Sequence, residues 1–150
     1  MSDLNVKVEG NAINATQLNV NARQFEFIVD EPPVFGGTDN GANPVEYLLG
    51  AYAGCINVVA HVTARELGIN VKSLKIDISG DLNPAKFAGE SDAERAGFKN
   101  IDVAFTPESD ASPELTEKWI AQIKKRCPVN DNLANPTPLS FNFKEEMQTV

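Results

Sequence analysis

Between Asn43 and Gly68 the sequence leaves few choices of structure. Asn43 is a helix-capping residue, Pro44 suits a first helical position, and Glu46 stands three after the cap, where a capping box places its acid. The run to Leu67 is rich in Ala, Leu and Val, and Gly68 sits where a C′ glycine ends a helix. The pattern predicts a helix over 44–67, about 36 Å long. Residues 48–60 carry no charge. A helix that is apolar all round is buried, in its own domain or between subunits. The chain has 150 residues, the length of a single domain. Short strands on either side can hardly cover such a helix, so a homodimer sharing it is expected.

Around this helix the patterns are short. Residues 4–8, 17–21 and 25–29 read as strands joined by turns, the first two with strict period-2 alternation. Asp30-Glu31-Pro32-Pro33 stops the third, and Gly36-Gly37-Thr38-Asp39-Asn40-Gly41 is a polar loop. Two extended runs, 71–82 and 99–105, flank a polar segment over 83–98 with a helical turn at 84–88. Ser112-Pro113-Glu114 opens a second helix with one apolar stripe, Leu115, Trp119, Ile120 and Ile123. Cys127-Pro128 interrupts it, and residues 128–133 restart as a short helix. Residues 139–143 alternate strictly and read as a last strand. The order βββαββαβ implies an α+β fold with antiparallel sheets.

Charge narrows the function. With 13 basic and 21 acidic side chains the net charge is −8, which argues against a nucleic-acid binder that neutralises phosphate and against docking on anionic membranes. No run of about 20 apolar residues stands out as a membrane span. Met-Ser-Asp-Leu-Asn-Val lacks the basic and apolar regions of a secretory signal, so a cytoplasmic location is expected. In a reducing compartment two cysteines are catalytic, metal-bound or inert rather than a structural disulfide.

Cys55, inside the uncharged helix, fits either packing or chemistry. Cys127 precedes Pro128 at a helix break. As a cap it would face free backbone N–H groups, with Lys124, Lys125 and Arg126 nearby, a setting that favours thiolate. Packing at a helix end explains it too. The two are 72 residues apart, so only the fold can bring them together. His61, six residues after Cys55, falls about 120° away on the helix. Without CxxC or HxxxH spacing, no metal is expected. There is no GxSxG or GxGxxG pattern.

Gly41-Ala42-Asn43-Pro44-Val45-Glu46-Tyr47-Leu48-Leu49-Gly50-Ala51-Tyr52-Ala53-Gly54-Cys55 resembles the helix motif of the OsmC/Ohr family, the osmotically inducible and organic hydroperoxide resistance proteins. Cys127-Pro128-Val129-Asn130-Asp131-Asn132-Leu133 resembles its second cysteine motif. The strand and helix order is similar over nearly the whole chain. Asp30-Glu31-Pro32, Gly36-Gly37-Thr38-Asp39 and Arg95-Ala96-Gly97-Phe98 look more like the OsmC-like branch than the Ohr branch.

The resemblance implies antiparallel sheets around a long central helix, in an intertwined homodimer with active sites at the subunit interface. It implies an antioxidant thiol peroxidase of the stress response that reduces organic hydroperoxides. Cys55 would be the peroxidatic thiolate and Cys127 the resolving thiol of a Cys55–Cys127 disulfide. An external dithiol, often a protein-bound lipoyl group, would be the reductant, with no cofactor bound. In the family's active peroxidases, a glutamate two residues after the Asn or Ser of the helix start holds an arginine from the N-terminal strand region. Here that position is Val45 and the carboxylate is Glu46, which also suits the capping box. Arg23, the only arginine before residue 65, is the nominal partner. Arg65 and Arg126 read as solvated helix residues, and Arg95 could reach a site across a dimer. Val45 keeps a second reading open: a non-catalytic small-molecule binding or thiol-sensing stress protein.

Overall fold

The computed structural model of the chain describes residues 1–145. Its longest element, α1 (Pro44–Leu67), has the ends its sequence encodes. Asn43 Oδ1 accepts from the Glu46 N–H at 2.9 Å, and the Glu46 carboxylate accepts from the Asn43 N–H at 2.8 Å. Gly68 closes the helix at φ 71°, a left-handed conformation that a side chain would strain.

Three strands precede it: β1 (Glu9–Ala12), β2 (Leu18–Ala22) and β3 (Phe25–Val29), an antiparallel meander in the order β1-β2-β3. Residues 4–8, expected as a strand, lie before β1 and outside it. Glu9 already pairs with Asn21, β2 ends at Ala22, and Arg23 turns away at φ 56°. Among the described residues 4–8 therefore has no ladder partner, and Leu4, Val6 and Val8 are exposed. After β3 the loop folds back on itself around Asp30, whose carboxylate accepts from the Thr38 hydroxyl and from the N–H groups of Glu31, Thr38 and Asn40.

Strands β4 (Val71–Asp81) and β5 (Asn100–Ser109) form an antiparallel hairpin with Ile76 opposite Phe105. The pairing continues beyond Phe105, through Thr106 opposite Lys75 and Pro107 opposite Leu74. Both strands are edges of a two-stranded sheet, the position in which proline is tolerated. Between the strands, residues 84–88 make a turn closed by the Ala88 N–H on Pro84 O. Two helices follow, α2 (Pro113–Arg126), capped by Ser112, and α3 (Pro128–Ala134).

The expected last strand does not form. Residues 139–143 are described and belong to no element, and Leu139, Phe141 and Phe143 are exposed. Alternation specifies which face would be buried, but a strand also needs a neighbour to take its hydrogen bonds. Among the described residues the order is βββαββαα.

The core lies on one side of α1, where Ile56, Ala60 and Ala64 meet Ile69, Trp119, Ile123 and Cys127, with Ile76, Ile78 and Phe105 of the hairpin around them. No residue of the N-terminal sheet joins that cluster. The sheet is tied to the start of α1 by Tyr47, which donates to Ile28 O at 2.7 Å and stands 5.1 Å from Phe27. Contrary to expectation, α1 is long and apolar enough to cross a membrane by length and composition. Its packing against α2 and β4 is that of a core helix. On the opposite face Ala51, Gly54 and Val58 are exposed, and at the start of the helix Val45 and Leu48 are exposed beside Tyr52.

Candidate active site

Cys127 is placed by two helix ends at once. Its N–H donates to Ile123 O and closes α2, while its carbonyl accepts from the Asp131 N–H and opens α3. Pro128, which has no N–H to give, takes the first position of α3. The Asn130 N–H donates to Cys127 Sγ at 3.4 Å, so the sulfur caps α3 as the sequence suggests. Because α2 packs along α1, this junction falls against the middle of the long helix. Cys127 Sγ lies 2.9 Å from Cys55 Sγ, both thiols free, with the Cys127 S–H donating. The fold thus brings together the two cysteines that the sequence left 72 residues apart.

The electrostatics of Cys127 differ from the expectation of a thiolate. Cys127 is 1% exposed. Burial pushes its thiol above the ordinary value, and donation to Cys55 pushes it further. The Asn130 N–H acts the other way without prevailing. A protonated Cys127 is thereby held as a proton donor against the sulfur of Cys55. The basic run beside it is partly engaged elsewhere, since Arg126 grips both carboxylate oxygens of Glu66, at 2.5 and 3.1 Å.

Each sulfur faces its own hollow. Cys127 lines a cavity of about 450 Å³ with Tyr52, Ile56, Phe105, Lys124 and Asn130. Cys55 lines a concavity with Gly54, Val58, Val62, Arg126 and Pro128. A neighbouring cavity of about 420 Å³ shares Tyr52, Ile101 and Asn130 with the first and adds Val45, Leu48, Arg95 and Lys99. Apolar walls with a few polar groups suit a small organic ligand.

The remaining sequence candidates are not assembled with the sulfurs within the single chain. Glu46 is engaged in the capping box. Arg23 occupies the β2–β3 turn, its guanidinium 5.1 Å from the ring of Phe25. His61 Nδ1 lies 2.8 Å from Asn57 O, and among the described residues no three potential metal ligands cluster. Sequence reasoning passed over Tyr52 and Asn130. The Tyr52 hydroxyl donates to Asn130 Oδ1 at 2.5 Å, and burial, then the two sulfurs, raise its phenol above the ordinary value. Spacing holds a signal for both: Tyr52 is three before Cys55 and Asn130 three after Cys127, neighbours across one helical turn.

Comparison with known proteins agrees with this architecture. The family model described as OsmC-like protein matches residues 37–142. Among curated proteins no match is found. Among solved structures, an OsmC like protein from Mycoplasma pneumoniae is similar at TM-score 0.77 and 19% identity, covering 90% of this chain and 91% of that one. An organic hydroperoxide resistance protein from Elizabethkingia anophelis follows at TM-score 0.64 and 17% identity, covering 89% and 91%. An organic hydroperoxide resistance protein OsmC from Legionella pneumophila has TM-score 0.63 and 16% identity, with 89% and 91% covered. At such identities the likeness is one of fold.

Proposed function

The chain belongs to the OsmC-like protein family, and on that premise we propose that it reduces organic hydroperoxides by thiol chemistry at Cys55 and Cys127. One observation carries the reading: two free thiols from distant parts of the sequence stand 2.9 Å apart beside apolar cavities. The Cys55 thiolate attacks the terminal oxygen of the hydroperoxide. The S–O bond forms, the O–O bond breaks, and the alkoxide takes a proton and leaves as the alcohol. Cys127 then attacks the sulfur of the Cys55 sulfenic acid; the S–S bond forms and water leaves. An external dithiol, for which a lipoyl group is the proposed carrier, reduces the disulfide and is itself oxidised to one.

The surroundings support this division of labour. Cys55 is the less buried sulfur and lines the concavity that holds Arg126, a cation on the side where the thiolate forms. Cys127 is buried and protonated, as suits a thiol that acts second.

The protein is proposed to work as a homodimer in the cytoplasm. Among the described residues three apolar features find no cover: the outer face of α1 and the alternating runs at 4–8 and 139–143. A second copy would supply strand partners for the runs and a counterpart for the helix. It would also give Arg23 a route to a site from the neighbouring sheet.

The test is one equivalent of cumene hydroperoxide followed by mass spectrometry of intact protein. Loss of two mass units, reversed by dihydrolipoamide, is expected, with catalytic turnover in a lipoamide-coupled assay. A second reading draws on Glu46 lying in the capping box and on Val45 at the family's carboxylate position. In that reading the pair senses oxidants stoichiometrically. Disulfide formation without turnover would favour it, and activity unchanged in Cys55→Ser would refute the peroxidase.

A further inference from the structure

Asn130 is held at three points. Its Oδ1 accepts from the Tyr52 hydroxyl at 2.5 Å, its Nδ2 donates to Lys124 O at 3.2 Å, and its backbone N–H donates to Cys127 Sγ at 3.4 Å. Lys124 O belongs to the last turn of α2, where helix carbonyls lack intrahelical partners. Tyr52 stands on α1 one turn before Cys55. Among the described residues the Tyr52–Asn130 bond is the side-chain hydrogen bond that links α1 to α3, apart from the contact of the sulfurs themselves. Its two ends belong to the residues one helical turn from each cysteine. Both also line the two cavities that meet at this point.

We propose that the Tyr52–Asn130 hydrogen bond is a strut that holds Cys127 in reach of Cys55 and so sets the rate of disulfide closure, making Tyr52 and Asn130 positioning residues. The inference rests on the reading of these cysteines as a redox pair. Attack of Cys55 on a peroxide requires nothing of Cys127. Closure requires the sulfurs to move from 2.9 Å to the roughly 2.05 Å of a disulfide, with a restricted dihedral angle. That step is sensitive to how α3 is held against α1. The partition also decides the fate of the enzyme. A Cys55 sulfenic acid that waits for Cys127 meets a second hydroperoxide, which transfers another oxygen to the sulfur, leaves as the alcohol and gives the sulfinic acid.

The experiment is a single-turnover reaction of wild type, Tyr52→Phe, Asn130→Ala and the double variant with one equivalent of cumene hydroperoxide. Sulfenic acid is trapped with dimedone, and disulfide is counted by mass spectrometry. Tyr52→Phe keeps the ring that packs against the core and removes only the hydroxyl. Relative to the loss of the Cys55 thiol in the same variant, disulfide closure should slow by about tenfold, dimedone adduct should accumulate, and sulfinic acid should rise with excess peroxide. The double variant should close no more slowly than the slower single one, because both changes remove the same bond.

Diamide is the second arm, since it oxidises the dithiol to the disulfide and is itself reduced to the hydrazine without any peroxide. If wild type forms no disulfide with peroxide, the peroxidase reading fails, and the diamide arm still decides the strut. Slower closure in Tyr52→Phe and Asn130→Ala supports it. Closure at the wild-type rate in both variants overturns it, as does a double variant whose defect is the product of the two single ones.

Discussion

The indole N–H of Trp119 donates to the carbonyl oxygen of Ala60 at 2.8 Å, with both residues fully buried between α2 and α1. Phe105 meets the same ring edge to face at 5.2 Å. Trp119 therefore fixes α2 on α1 from the middle of α2, and the end of α2 delivers Cys127. Trp119→Phe should destabilise the fold by about 1–2 kcal/mol through the lost hydrogen bond. Trp119→Ala should cost about 3–5 kcal/mol through the added cavity. Urea unfolding followed by circular dichroism measures both, and a Trp119→Phe variant as stable as the wild type would contradict the role given to the hydrogen bond.

The two cysteines should fail differently. Cys55→Ser should abolish hydroperoxide reduction, because it removes the proposed peroxidatic sulfur and leaves Cys127, which is buried and whose thiol is pushed above its ordinary value. Cys127→Ser should leave a single turnover and then accumulate sulfenic and sulfinic acid at Cys55. Mass spectrometry after a peroxide series reads the difference. Multiple turnovers with dihydrolipoamide in Cys127→Ser would remove the resolving role from Cys127.

Arg126 and Arg23 give opposed expectations. Arg126 lines the concavity of Cys55, although Glu66 holds it, so Arg126→Gln should slow the reaction of Cys55 with peroxide by about tenfold. Arg23→Gln should act only if a partner copy carries that residue to the site. Stopped-flow decay of peroxide with each variant separates the cases.

Stability should fall at both ends of the pH scale. Burial, then donation to Cys55, raises the Cys127 thiol above its ordinary 9.0. Folding therefore favours its protonated form. That contribution is complete below the unfolded value and is lost as pH rises from there through the folded one. Asp30 is shifted the other way: the Thr38 hydroxyl, then the Asn40 and Glu31 N–H groups, hold its carboxyl far below its ordinary 3.8. Its contribution is complete above that value and is lost as pH falls toward the folded one. Urea midpoints across pH should show an acid limb flattened by Asp30→Asn and an alkaline limb reduced by Cys127→Ala. The alkaline limb should persist in part, because the Tyr52 phenol is also raised, from 10.0.

Light scattering at low micromolar concentration should give twice the 16.2 kDa of the chain. Replacing Phe141 and Phe143 together by serine should shift the protein toward monomer, since both side chains are exposed in the single chain. A monomeric wild type would remove the reason offered for these apolar runs.

The ends of α1 were legible residue by residue, because Asn43, Pro44, Glu46 and Gly68 act on backbone groups within one turn of themselves. The starts of α2 and α3 followed from Ser112-Pro113 and Cys127-Pro128 for the same reason. Strands were legible as patterns but less well as elements. Residues 25–29 and 71–81 found neighbours, whereas 4–8 and 139–143 alternate just as clearly and have none among the described residues, since pairing depends on what another segment offers. Both cysteines could be singled out from their positions, one within an uncharged helix and one at a helix break. The sequence could not bring them together, and it set Cys127 among local groups that favour a thiolate. Tertiary packing decided otherwise: folding α2 along α1 buries Cys127, and desolvation outweighs the N–H that reaches its sulfur. The same packing set Tyr52 opposite Asn130, a meeting of residues 78 positions apart. Local interactions fix where an element starts and stops; distances and solvent exclusion between elements exist only once they are packed.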